Sequence, residues 1–258
     1  MRSPLETLLA AALLLTTASG GAQEKPSPAE LTVAAAADLS AALKEIGDGY
    51  EKKTGVKVKL SFGASGALTQ QIQNGAPFDL FFSADMDYPR QLITAGDAEG
   101  ASLYQYAVGK LVLWVPADSS LDLDRGMNIL VDPAVKKIAI ANPQHAPYGR
   151  AAEAALHNMG LYEHVAGKLV MGENISQTFQ FVQSGAADAG IVALSLAVAP
   201  NVRGQGRYWE IPENQYPKIE QGGAILKNSA AAREFRDWLL GQSGRTLLAQ
   251  YGFSLPGE

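Results

Sequence analysis

The sequence predicts an α/β protein of two units, each a mainly parallel sheet with helices on both faces. Three observations lead there. Strand-like and helix-like runs alternate twice over, from Leu31 to Gly96 and again from Lys110 to Leu194. Several strand runs are apolar without alternation, as strands covered on both faces must be. Four junctions from strand to helix share one small-residue character, and the ligands of such sheets sit outside the carboxyl ends of the strands.

Leu31 to Ala37 is an apolar run suited to a buried strand. Asp38-Leu39-Ser40 opens a helix that sets Leu39, Leu43, Ile46 and Tyr50 on one face and stops at Gly55. In the next strand Val56, Val58, Leu60 and Phe62 alternate with polar residues, and Gly63-Ala64-Ser65-Gly66 strips bulk from the backbone where a helix must begin. A further strand runs towards Asp85, and Met86 to Gly96 reads as a helix broken by Pro89. Lys110 to Val115, closed by Pro116, has the two-faced apolarity of a central strand. Ile129 to Ala134 is too short to assign. Lys137 to Ala141 is a strand leading through Asn142 to Gly149 into a helix that carries Ala152, Ala155, Leu156 and Met159. Pro147 stands at its start, where a missing N–H costs nothing. Lys168 to Met171, Ser176 to Ser184 and Ala189 to Leu194 read as strand, helix and strand. Gly204 to Gln221 is polar and turn-rich, Gly222 to Leu226 is a strand returning to the first unit, and two helices close the chain. Ala232, Phe235, Trp238 and Leu239 mark the first of these; Leu247, Leu248 and Tyr251 mark the second.

A chain of 258 residues with 47% hydrophobic content holds one large domain or two ordinary lobes. Its net charge of -5 argues against nucleic acid or an acidic membrane as partner, since both reward dense Lys and Arg. With no cysteine, disulfides, thiolate metal sites, thiol nucleophiles and a lipid-anchored N-terminus are excluded. The three histidines, at 145, 157 and 164, are too scattered to suggest a transition-metal cluster. Arg2, the apolar run Leu8 to Leu15 and the small residues Thr16 to Ala22 read as a cleavable export leader over residues 1–22, too short to span a bilayer. Glu24 to Glu30 is then a short mature tail.

The four junctions are Ala35-Ala36-Ala37-Asp38, Gly63-Ala64-Ser65-Gly66, Pro147-Tyr148-Gly149 and Glu173-Asn174-Ile175-Ser176. The first amides of a helix have no partner within it, and the helix dipole favours negative charge there. A single such turn is more often just a cap. Two from each unit, brought face to face, would make a clamp for an anion. A buried anion needs hydrogen bonds, and amides and hydroxyls supply charge-assisted ones. Apart from Arg150, one position beyond Gly149, these turns hold no cation. Neutral donors favour a species that only accepts, whereas a protonated oxyanion would also need a local acceptor.

Five segments carry a resemblance to a known family: A-A-A-A-D-L-S at 34–40, F-G-A-S-G-A-L at 62–68, G-A-P-F-D-L-F-F-S-A-D at 75–85, N-P-Q-H-A-P-Y-G at 142–149 and G-I-V-A-L-S at 190–195. From about Leu31 to Phe253 the chain resembles the periplasmic molybdate-binding proteins of ABC transporters. The resemblance implies a two-lobed Venus-flytrap fold, with 23–107 plus 218–258 in one lobe, 108–217 in the other, and crossings near Ala107 to Gly109 and Gln215 to Gln221. It implies an exported, monomeric protein that takes molybdate or tungstate without a cofactor and hands it to a membrane permease. Carried across, Ser65 matches the family's hydroxyl donor and Ile175 a backbone-amide donor. Tyr148 stands where some members have a tyrosine that donates its hydroxyl, and replaces the hydroxyl missing at Ala193. Asp38 stands where many members have serine. A carboxylate beside a dianion is repulsive, so Asp38 is expected to cap its own helix. That turn then serves through the amides of Ala37 and Asp38.

Competing readings are blander. Asp79 and Asp85 flank a strand as caps or turn residues rather than as a catalytic pair. Ser65 is not in a nucleophile elbow, because Ala67 stands where glycine is needed. His145 is read as a structural residue, Ser83 as support behind the site, and Trp114, Trp209 and Trp238 as packing. Phosphate or sulfate as the guest, and a sensor or adhesion module on the same fold, remain as rivals.

Overall fold

The computed structural model describes residues 30–227 and 229–257. The expected leader over 1–22 lies outside the described residues, as does the tail beyond it except Glu30, which is already in a strand. The first stretch contains β1 (Glu30–Ala36), α1 (Ser40–Thr54), β2 (Lys57–Gly63), α2 (Ser65–Gln73), β3 (Leu80–Ser83), α3 (Asp87–Ala95) and β4 (Tyr104–Gly109). The second contains β5 (Leu111–Pro116), β6 (Ile138–Ala141), α4 (Pro147–Asn158), α5 (Tyr162–Val165), β7 (Leu169–Gly172), α6 (Ile175–Gln183), β8 (Ala189–Ala193), α7 (Leu194–Ala197) and β9 (Gly206–Glu210). The chain then returns as β10 (Ile219–Ile225), α8 (Ala230–Leu240) and α9 (Gln242–Gln250).

The described strands form two sheets, β2-β1-β3-β10-β4 and β7-β6-β8-β5-β9. In each, three consecutive strands are parallel, and two of the three feed the expected turns. One strand per sheet runs against its neighbours, β10 in the first and β5 in the second. Both sheets are therefore mixed. The antiparallel strands are the ones beside the crossings: only Lys110 separates β4 from β5, and the return passes through 211–218. Ile219 pairs with Gly109, so the two crossings lie side by side.

Burial follows the expected faces. Leu39, Leu43, Ile46 and Tyr50 are all buried, and Tyr50 meets the edge of Phe235. Trp114 is buried edge-on to Phe179 in the other half. Three departures have local causes. Pro89 does not break α3, because it falls in the first turn, where an N–H has no intrahelical partner to lose. Within the stretch read as polar turns, β9 exists because an edge strand can expose Arg207, Tyr208 and Glu210 while pairing with β5 on one side. The other unassigned strand, β4, hides in the mixed pattern Tyr104–Gly109. One residue earlier than expected, a 3-10 turn over Ala37–Leu39 delays the start of α1 to Ser40.

Candidate functional site

Parallel strands of one sheet deliver their chain to the same edge, so the turns after β1 and β2 emerge together, as do those after β6 and β7. The two edges face each other. Ala37 and Asp38, Ala64 and Ser65, Pro147 and Tyr148, and Ile175 all line one cavity, with Ala84 from the end of β3. It is small, with ≈ 10 Å³ open to the centre of a water-sized sphere. That suits one compact guest and no peptide or sugar.

The helix starts are left with free donors. No side chain caps α2 or α4. In α6 the Asn174 side chain takes the amides of Ser176 and Gln177, each at 3.0 Å, which leaves the Ile175 amide to the cavity. Ser65 is buried, and its Oγ accepts the Ala84 amide at 3.0 Å. With that lone pair occupied, the hydroxyl proton has no protein acceptor among the described residues.

The opposite wall is arranged differently from expectation. Asp38 caps no helix. The 3-10 turn closes the Ser40 amide onto the Ala37 carbonyl, consuming the donor that a capping aspartate would take. Its Oδ2 instead accepts Gln221 Nε2 at 2.6 Å, and its Oδ1, fully buried, has no hydrogen-bond partner among the described residues. Burial pushes the carboxyl up to about 6, against hydrogen bonds from Gln221, Tyr148 and its own amide that favour the carboxylate.

Tyr148 lines the cavity, as expected, but its hydroxyl is engaged. It accepts the second Gln221 N–H at 3.0 Å and gives its own proton towards Asp38. Burial and the neighbouring Asp38 raise its pKa well above the ordinary phenol range, so it stays protonated. Ala193, at the end of β8, supplies no hydroxyl, as read.

Gln221 is the residue that sequence reasoning missed. It is fully buried on β10, and its Oε1 accepts the Tyr106 hydroxyl at 2.8 Å; that hydroxyl also lies 2.9 Å from the Ser83 carbonyl. The signal was present: an uncharged amide at a buried position of the strand I-E-Q-G-G-A-I, next to Glu220, which points out to solvent. Gly109 is fixed by the same cluster, since a Cβ there would run into the Tyr148 hydroxyl and Gln221.

Several bonds join the two halves around the cavity. The Gly66 amide donates to the His145 carbonyl at 2.9 Å, Ser176 Oγ to the Ala37 carbonyl at 2.8 Å and Ser195 Oγ to the Asp38 carbonyl at 2.8 Å. At the rim Arg150 pairs with Asp85 at 2.6 Å and lies over the Tyr88 ring. Asp85 also caps α3, and Asp79 accepts from Thr32, so neither is free as a catalytic carboxylate. Ser83 backs the site through its carbonyl. Among the described residues no group of three or more His, Cys, Asp or Glu forms a metal centre, and no helix is long and apolar enough to cross a membrane.

A family model described as bacterial extracellular solute-binding protein matches residues 31–254. A relative named molybdate-binding protein ModA from Azotobacter vinelandii is 42% identical over 230 residues, covering 88% of this chain and 90% of that one. One of the same name from Rhodobacter capsulatus is 37% identical over 252 residues, covering 96% and 97%. Among solved structures, the Azotobacter vinelandii periplasmic molybdate-binding protein superposes with a TM-score of 0.82 at 35% identity, over 88% of this chain and 99% of that one.

Proposed function

The chain belongs to the bacterial extracellular solute-binding protein family, and on that premise we propose that it captures a tetrahedral oxyanion, molybdate or tungstate, and delivers it to the membrane permease of an ABC transporter. The observation that carries this reading is the meeting of four helix-start turns at one cavity sized for a single compact guest. A fully deprotonated tetrahedral anion presents acceptors on every side and no donor. The wall answers with the amides of Ala37 and Ile175, the hydroxyl of Ser65 and the Asp38 amide, which the guest shares with the residue's own carboxyl. These groups touch oxygens; the metal atom of such an anion is sheathed by them, so none is a metal ligand and no cofactor is required. The names of the relatives point the same way.

Capture is binding with closure, without turnover. A guest that touches turns from both sheets favours the arrangement in which they meet, by the difference in its affinity for the two arrangements. Rotation takes place at Lys110 and 211–218, between a lobe of 23–107 plus 218–258 and a lobe of 108–217. The protein works as a monomer, exported with its leader removed and not anchored by lipid.

Side-by-side calorimetric titration with molybdate, tungstate, sulfate and phosphate tests the reading. Molybdate and tungstate should bind alike and tightest, and a thousandfold excess over Kd should stabilise the fold by roughly 4 kcal/mol. Preference for phosphate overturns the assignment. That second reading has one observation behind it: a buried carboxyl oxygen without a donor suits a guest that carries its own proton.

A further inference from the structure

A buried polar oxygen without a partner is rare and costly, and Asp38 Oδ1 is one, on a residue that lines the cavity. Every donor around the carboxyl is already placed. Both Gln221 N–H groups are used, one on Asp38 Oδ2 and one on the Tyr148 oxygen, and the Tyr148 proton goes to Asp38. While Asp38 is ionised this wall therefore offers a guest an acceptor and no hydroxyl donor. Adding one proton reverses that: the carboxyl becomes a donor, Oδ2 still accepts from Gln221, and Tyr148 no longer faces a carboxylate.

We infer that Asp38 couples capture of the oxyanion to the uptake of one proton, its carboxyl becoming a hydrogen-bond donor to the guest. The inference rests on the oxyanion reading above. The balance is simple: the Asp38 carboxylate, one proton from bulk water and the dianion give the Asp38 carboxylic acid hydrogen-bonded to the dianion. Only an O–H bond forms.

Nothing facing Asp38 competes for that proton. Tyr148 comes from α4, Gln221 from β10 and Tyr106, behind Gln221, from β4. From α7, Ser195 holds the Asp38 carbonyl, while from α6, Ser176 holds the adjoining Ala37 carbonyl and Ile175 lines the cavity. Ser65 of α2, Gly63 of β2 and uncharged alanine and proline residues make up the rest of the lining. Tyr216, from the return crossing, acts on Tyr148. None of these is charged near neutrality. The border charges, Asp85 and Arg150, are paired with each other, and Asp85 reaches inward only as far as Tyr106. Burial, net of the hydrogen bonds that favour the carboxylate, already brings Asp38 to about 6, and a dianion beside it raises it further, so the proton is taken up across the neutral range.

The test is titration with sodium molybdate at pH 6.5, 7.5 and 8.5 in two buffers of different ionisation enthalpy, on the full chain and on Asp38→Asn. Wild type should lose about tenfold in affinity per pH unit and take up about one proton per guest, read from the buffer dependence of the heat. Asp38→Asn, which keeps a neutral donor in place, should bind with a pH-independent Kd and take up none. Wild-type affinity constant within twofold, with no proton uptake, overturns the coupling and leaves the oxyanion reading standing. Absence of binding to molybdate, tungstate, sulfate and phosphate at every pH overturns the oxyanion reading and the coupling with it. The wild-type proton count decides the matter even if the variant does not fold.

Discussion

The two walls of the cavity meet the same demand in opposite ways. On the Ser65 side the donors are fixed by covalent geometry: amides at a helix start and a hydroxyl whose lone pair is held by Ala84. On the Asp38 side the donors depend on a titratable carboxyl, locked through Gln221 to Tyr148 and Tyr106. The contrast teaches that an anion site needs no resident cation, and that a carboxyl is tolerable in one if burial has already made its charge expensive.

The sharpest way to break that contrast is through stability, in protein prepared without guest. Asp38 holds its proton more firmly folded than unfolded, so its contribution falls as pH rises from about 4 through about 6 and is level above that. A raised value of about 6 corresponds to on the order of 3 kcal/mol across that window. Chemical denaturation at pH 4.5 and 7.5 should therefore show wild type losing about 2 kcal/mol of that relative to Asp38→Asn; parallel pH profiles would mean the carboxyl is not buried as described. Next in size, Ser65→Ala removes a donor to a charged guest and orphans the Ala84 amide. It should weaken molybdate by about 2 kcal/mol, roughly thirtyfold, equally at every pH. A pH-dependent loss would merge the two walls into one system. Smallest is Arg150→Ala. The rim pair is half exposed on the arginine side and should contribute under about 1 kcal/mol, seen as a small rise in Kd that salt abolishes in wild type.

Much of this was legible in the chain. Alternation of runs fixed the layers, and the four small-residue turns do share one cavity, because a parallel sheet leaves its turns no other edge. Local patterning failed where the cause is not local. Asp38 reads as a cap until the 3-10 turn takes the Ser40 amide, an event set by how β1 meets α1. Gln221 lies 183 residues from the carboxyl it holds, and no window along the sequence contains both. β9 escaped because its hydrophobic content is that of a half-covered edge rather than of a core, and β4, though mostly buried, because Y-Q-Y-A-V-G mixes polar, small and aromatic residues without an apolar run.

Two short leashes attached side by side leave a rigid body free to swing chiefly about the line through them. Lys110 and 211–218 are such leashes, since Gly109 and Ile219 are neighbours across the β4–β10 ladder. Displacement in a swing grows with distance from its axis. In the closure proposed above, a membrane partner that inspects the far rims would read, as a large movement, an occupancy decided by a few bonds near the pivot.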